Sequence, residues 1–259
     1  MFYKLFLYVI LFVFLNFLFS CQSPSYLHNH ITTNQELTNS ILVLKHDCIT
    51  IGYDIEAKQA TWVAYTLKKI DLDGDAKRKN NFKIDPKLSE VQSADDDDYY
   101  KSGYDRGHLA PAADMTVSQD CMDQSFYYSN ISPQLPGHNR GVWKRLESEV
   151  RDWAIKYNSV VIVTGAIVDK ENDERLGDSK ICIPKFYYKA LLINTGSGLY
   201  TAGFVVANES SNQEIITFSL TIDELEAQTG LDFFPTLSKK EQSEVESKIN
   251  YDIWFEVSE

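Results

Sequence analysis

The stretch Asp105-Arg106-Gly107-His108-Leu109-Ala110-Pro111 places an acid, a guanidinium, a glycine and an imidazole in four consecutive positions, ahead of an apolar pair and a proline. Histidine is the side chain whose ordinary pKa lies closest to neutrality, so His108 is a candidate to take a proton from water. Arg106 offers a planar, permanently charged fork that can bridge two phosphate oxygens. Gly107 lets the backbone turn sharply or approach a second strand closely. Asp105 could orient the histidine or hold the turn. By itself the group is equally the makings of a surface turn, so its weight depends on what else the chain carries.

Thirty-one residues after His108, Asn139 opens an amphipathic segment. Val142, Leu146, Val150 and Trp153 recur at four-, four- and three-residue spacing, with Trp143 and Ala154 widening the stripe, which predicts a helix from Asn139 to about Tyr157. On a straight helix Glu147 would lie about 80° round and about 12 Å along from Asn139. Side chains lean toward the helix N-terminus, so Glu147 would tilt back toward Asn139. A carboxamide oxygen and a carboxylate suit a hard divalent ion such as Mg²⁺, which keeps most of its waters. Each residue also has a plain reading: Asn139 as a helix N-cap, Glu147 as a surface partner of Arg151 one turn on. Taken together, a base, a cation and oxygen ligands for a hard metal suit attack of water on a phosphodiester.

Further out, the chain reads as mixed strands and helices. Cys48–Ile55 and Ala60–Leu67 form a predicted hairpin across Glu56-Ala57-Lys58-Gln59. Residues 71–100 are charged and poor in aliphatics, an ordered loop in which Phe82 and Pro86 suggest packing, and the run Asp95–Asp98 reads as a solvated face. Val160–Thr164, Ile181–Asn194 and Tyr200–Ala207 are strand-like, with Pro184 near the start of the second. Thr221-Ile222-Asp223-Glu224 resembles a capping box for a helix stopped by Gly230, and Ser238–Ile249 predicts a last helix. Without regular strand–helix alternation the class is α+β. His138 is either a substrate contact or a loop residue. Tyr99, Tyr100 and Tyr104 either stack on bases or pack the loop.

The N-terminus has its own logic. After Lys4 an apolar run from Leu5 to Phe19 leads to Ser20 and Cys21, the shape of a secretory signal over residues 1–20. Leu18-Phe19-Ser20-Cys21 resembles a bacterial lipobox, with Cys21 acylated and anchoring the chain to a membrane; an uncleaved anchor is the plain alternative. Gln22, by the same resemblance, favours the outer membrane, facing the periplasm or the surface, with ordinary secretion as the remaining option. Residues 21–45 then read as a polar tether, His28 and His30 included, and 46–259 as the domain. Cys48, Cys121 and Cys182 lack a CxxC spacing, which argues against zinc; one disulfide is possible, and the sequence does not choose the pair. The formal charge is −12, against the usual basic balance of nucleic-acid binders. Between Lys101 and Lys156, however, seven Lys/Arg face seven Asp/Glu, so the candidate site region is neutral.

Beyond these readings, Asp105–Pro111, Ser129-Asn130-Ile131-Ser132-Pro133-Gln134, Asn139-Arg140-Gly141-Val142-Trp143, Leu146-Glu147 and Thr229-Gly230-Leu231-Asp232-Phe233-Phe234-Pro235 together closely resemble the DNA/RNA non-specific endonuclease family, from about Cys48 to the C-terminus. That group includes bacterial extracellular nucleases and mitochondrial endonuclease G. The resemblance implies a ββα-metal core set on a larger, mainly antiparallel sheet with flanking helices, and DNA and RNA as substrates. It implies His108 as general base, Asn139 as the direct ligand of Mg²⁺ or Mn²⁺, and Glu147 as anchor of the ion's water cluster. Arg106 would stabilise the pentacovalent phosphate, Asn130 would support the site, and products would carry 5′-phosphates. An upstream arginine found in some members aligns here with Asn80, with Arg78 and Lys79 beside it. A non-catalytic surface lipoprotein that binds nucleic acid or a protein partner is the alternative.

Overall fold

The computed structural model describes residues 31–33 and 41–255. Residues 1–20, Cys21, His28 and His30, on which the signal and lipid-anchor expectations rest, lie outside them. Among the described residues no helix is long and apolar enough to cross a membrane.

The strands are β1 (Ile31–Thr33), β2 (Ile41–Lys45), β3 (Thr50–Asp54), β4 (Gln59–Lys68), β5 (Asp105–His108), β6 (Ile131–Gln134), β7 (Ser159–Ile167), β8 (Arg175–Leu176), β9 (Ile181–Cys182), β10 (Phe186–Asn194), β11 (Leu199–Ala207), β12 (Ser219–Leu220) and β13 (Leu231–Phe233). The helices are α1 (Asp96–Tyr99), α2 (Gln119–Gln124), α3 (Lys144–Tyr157), α4 (Ile222–Thr229), α5 (Lys239–Val245) and α6 (Tyr251–Trp254). Seven strands make one antiparallel sheet in the order β12-β11-β10-β7-β4-β3-β2.

The sheet is apolar on both faces because it is a middle layer. Along β4, Val63, Tyr65 and Leu67 join one core while Trp62 and Ala64 join the other. Along β10, Tyr187, Leu191 and Ile193 face the first core, and Tyr188, Ala190 and Leu192 face the second. This is the period-2 alternation of a strand, with both sets buried. The first core receives the predicted helix stripe, Val142, Leu146, Val150, Trp153 and Ala154. The second is covered by Ile222 and Leu225 of α4 and by Leu231, Phe233 and Phe234. The α+β expectation, a hairpin and helix on a larger antiparallel sheet, is what the structure contains.

Several boundaries differ from the sequence reading. Residues 31–33 and 41–45, expected in the tether, are strands: β1 pairs with β13 and β2 with β3. Their short length and polar flanks hide them, because pairing with a distant strand supplies what local pattern lacks. Ile181–Asn194 is two strands, β9 and β10, with Pro184, which lacks an N–H for a ladder, between them. The predicted helix from Asn139 starts only at Lys144, since His138–Trp143 forms a wide turn that Gly141 (φ −106°, ψ −107°) breaks. The straight-helix geometry expected between Asn139 and Glu147 therefore does not hold. The acidic run is not simply solvated: Asp95 caps α1 and Asp98 is buried. The capping box at Thr221 and the left-handed stop at Gly230 are as expected.

Of the three cysteines, Cys48 and Cys121 are disulfide-bonded and Cys182 is free and buried. The bond closes a loop of 73 residues, which in a chain-entropy account contributes about 4 kcal/mol by restricting the unfolded state.

Candidate active site

The hairpin β5–β6 carries the site. Its register pairs Asp105 with Gln134, Gly107 with Ser132 and His108 with Ile131. A Cβ on Gly107 would fall 2.2 Å from the Gln134 side chain, so of the two roles open to this glycine the close approach is the one used. Beyond the strand, the chain is pinned by Asn130. Its Oδ1 accepts from Ala110 N at 2.9 Å, and its Nδ2 donates to Ala110 O at 2.9 Å and Ser125 O at 2.8 Å. With its nitrogen committed in this way, buried Asn130 holds the backbone after His108 and does not reach into the cleft.

His108 is buried, packed edge-on against Phe126 (ring centroids 4.8 Å) and beside Phe82 (5.7 Å). Its Nε2 has no hydrogen-bond partner among the described residues. Burial, reinforced by the charges of Arg78 and Arg106, pushes its pKa down to about 3, so the ring is neutral at physiological pH. Arg106 lies 4.0 Å over the Phe82 ring and is paired with Asp96. Arg78 sits over the Phe126 ring at 5.2 Å. Its charge acts on both His108 and Glu147, so its place in the fold is beside the site.

Asp105 does not orient the histidine. It accepts Asn139 Nδ2 at 2.8 Å and takes a two-pronged contact from Arg140, Nε at 2.8 Å and Nη2 at 2.5 Å. The Asn139 amide nitrogen is thus engaged, and its carbonyl oxygen is the atom left to serve as ligand. Asn139 and Arg140 join Phe82, Asp96, Tyr100, Asp105 and Arg106 around a cleft of about 530 Å³.

Glu147, one turn into α3, is partly exposed, and burial of its carboxylate raises its pKa while Lys189 opposes the rise. Its expected partner Arg151 instead bonds Asp114 Oδ1 at 3.0 Å, and Tyr65 donates to the other oxygen at 2.7 Å. The sequence reading missed Lys189. It is 1% exposed on β10, its Nζ 3.3 Å from Thr164 Oγ1 and 4.5 Å from the Trp143 ring. Burial lowers its pKa and the carboxylates of Glu147 and Asp114 hold it up. The only signal was one lysine inside the apolar run Phe186–Ile193. His138, expected on a loop or against substrate, is buried, with Nδ1 2.8 Å from Ala207 O and its ring stacked on Trp143. Of the tyrosines, Tyr99 is buried against Tyr128, while Tyr100 is 71% exposed at the cleft.

A hairpin ending in a buried histidine whose Nε2 has no hydrogen-bond partner among the described residues, followed by an oriented asparagine and a helix, defines the chain as a ββα-metal type of fold. The family model for DNA/RNA non-specific endonuclease matches residues 28–240, and the chain belongs to that family. Among its relatives, mitochondrial nuclease EXOG of Danio rerio is 33% identical over 75% of this chain and 61% of the relative. Nuclease C1 of Cunninghamella echinulata var. echinulata is 31% identical over 75% and 83%. Mitochondrial endonuclease G of Homo sapiens is 30% identical over 71% and 67%. The match spans about three fifths of the length of the EXOG relatives, from 56% to 61%. In the solved structure of the EndoG/EndoGI complex, a chain 28% identical superposes with a TM-score of 0.72, covering 77% of this chain and 88% of that one.

Proposed function

We propose that this chain is a metal-dependent, sequence-nonspecific endonuclease that hydrolyses DNA and RNA to 5′-phosphate products. The observation that carries the reading is His108 Nε2, an acceptor that is buried, neutral and without a hydrogen-bond partner among the described residues. A buried polar atom left unpaired costs free energy unless a ligand meets it. Here the partner is the attacking water. As its oxygen bonds phosphorus and the bond to the 3′-oxygen breaks, its proton passes to Nε2, and the leaving 3′-oxygen takes a proton from solvent water. The phosphate's own negative charge offsets Arg78 and Arg106, which raises the basicity of His108 when substrate is bound.

The residues fit a hard divalent cation, Mg²⁺ or Mn²⁺, in their donor chemistry: a carboxamide oxygen aimed by Asp105 and, one turn into the helix that follows, the Glu147 carboxylate. Asn139 would hold it directly, with Glu147 anchoring its waters. When bound, the ion supplies positive charge against the phosphate oxygens and the leaving group. Arg106, released from exposed Asp96, covers a further phosphate oxygen, and Asn130 keeps the backbone after His108 in place. We further propose that Cys21 carries a lipid, tethering the domain outside the cytoplasm at the cell envelope, where it meets extracellular nucleic acid.

The test is incubation of purified protein with circular DNA and with RNA, in Mg²⁺, in Mn²⁺ and in chelator. Cleavage in either metal, lost in chelator, is expected. Retention of nucleic acid without cleavage would favour a binding protein instead.

A further inference from the structure

We propose that Asp223, Glu226 and Glu246 form a second cation site, for a hard divalent ion of the calcium type, that clips α4 to the end of α5. One carboxylate oxygen from each lies within 4.8 Å of the others. Asp223 and Glu226 are three apart on α4 and so share a face. Glu246 caps α5, and its carbonyl accepts Asp223 N at 3.1 Å, which holds the two helix ends together.

The independent pointer is Glu246 itself. The residue is 6% exposed, and its Oε1 has no hydrogen-bond partner among the described residues. Burying a carboxylate oxygen without a partner is costly, so a proton or a cation is expected to meet it. Burial and then the charges of Glu226, Asp223 and Asp232 push its pKa up to about 8, with only Lys239 opposing. One proton would neutralise one of these four acids and leave the others facing each other. A divalent ion answers several at once.

The donor chemistry selects the ion. Calcium takes oxygen ligands at about 2.3–2.6 Å, so ligand oxygens on one ion lie at most about 5 Å apart, and the observed spacing fits. With no cysteine or histidine in the group, softer transition metals are disfavoured. The partial exposure of Glu226 and the exposure of Asp223 leave room for water to complete the shell. Glu226 Oε1 also accepts Phe233 N at 2.8 Å, so the ion would tie α4 and α5 to β13, the strand on which β1 pairs.

The experiment uses the whole purified protein carrying Asn139→Ala, which disables the other metal site, and Ca²⁺ as the probe. Calorimetric titration should show one Ca²⁺ bound. The melting temperature should rise by about 5 °C or more at roughly a hundredfold excess over Kd. Adding Asp223→Asn, an exposed change that spares the core, should weaken Ca²⁺ binding tenfold or more. Asp223→Asn alone should leave Mg²⁺-dependent cleavage unchanged. Absence of Ca²⁺ binding in the Asn139→Ala protein, or equal binding after Asp223→Asn, overturns the site. A melting temperature that ignores Ca²⁺ but falls as pH rises toward 8 assigns Glu246 a proton instead, and also overturns it.

Discussion

Asn139 donates its side-chain amide to Asp105 Oδ2 at 2.8 Å, joining the first residue of the hairpin to the turn before α3 across 34 residues of chain. The bond decides which way the carboxamide points. Partners of this kind, which orient a ligand without touching the ion, typically contribute about 10- to 100-fold to metal affinity. Asp105→Ala should therefore raise the Mg²⁺ concentration needed for half-maximal cleavage by that factor, with cleavage at saturating Mg²⁺ largely preserved. Asn139→Ala should lose activity at any Mg²⁺ concentration. A metal titration of both variants checks this, and equal behaviour of the two would refute the orienting role.

His108→Ala should lower cleavage by about 10²- to 10⁴-fold, the range of a general base, with an unchanged circular dichroism spectrum. The stability effect has its own sign. The folded pKa is depressed from 6.5 to about 3, so the unfolded chain takes up a proton first as pH falls. Stability contributed by the neutral ring is full above about 6.5 and is lost progressively toward 3. His108→Gln should flatten the acid limb of a plot of melting temperature against pH.

Arg106 and Asp96 form a pair whose side chains are 37% and 63% exposed, and such solvent-screened pairs are worth under about 1 kcal/mol. The bond should break readily when phosphate arrives. Asp96→Asn is expected to change KM less than about fivefold, whereas Arg106→Ala should lower kcat/KM by about 100-fold or more. Steady-state kinetics on a short duplex separates the two.

Lys189 is the cation that most restrains the upward shift of Glu147, ahead of Arg151 and Arg78. Lys189→Met removes that restraint, so the carboxylate should hold its proton to higher pH. Mg²⁺ dependence of cleavage should then be more sensitive to acid, with the acid limb of the profile moved toward alkaline pH. A profile unmoved by the substitution would make the lysine purely structural.

Reduction of the Cys48–Cys121 bond, or Cys121→Ser, should cost about 2–5 kcal/mol of stability. Thermal melts with and without reductant measure it. The same reductant should leave the buried Cys182 environment unaffected, so a Cys182→Ser variant should respond to reductant as the parent does.

Much of this protein is legible in short words of sequence because their chemistry is local. The stripe from Val142 to Ala154 foretells which face α3 buries, Thr221 and Glu224 announce a helix start, and Gly230 its end. The DRGH word and Asn139 carry their residue types openly, and their spacing marks the family. What the sequence could not set was anything decided by a partner far away in the chain. Gly141 breaks the predicted helix in the same wide turn from which Asn139 bonds Asp105, and no periodicity reports that. The partner of Cys48 among the other cysteines, the strands inside the expected tether, and the exchange of Arg151 from Glu147 to Asp114 all depend on long-range packing. So does the state of His108: its residue type makes it a candidate base, but only burial against Phe82 and Phe126, near Arg78 and Arg106, makes its ring neutral and leaves Nε2 without a partner among the described residues. Desolvation and charge proximity are properties of three-dimensional neighbours, and those exist only once the sheet, hairpin and helix have closed on one another.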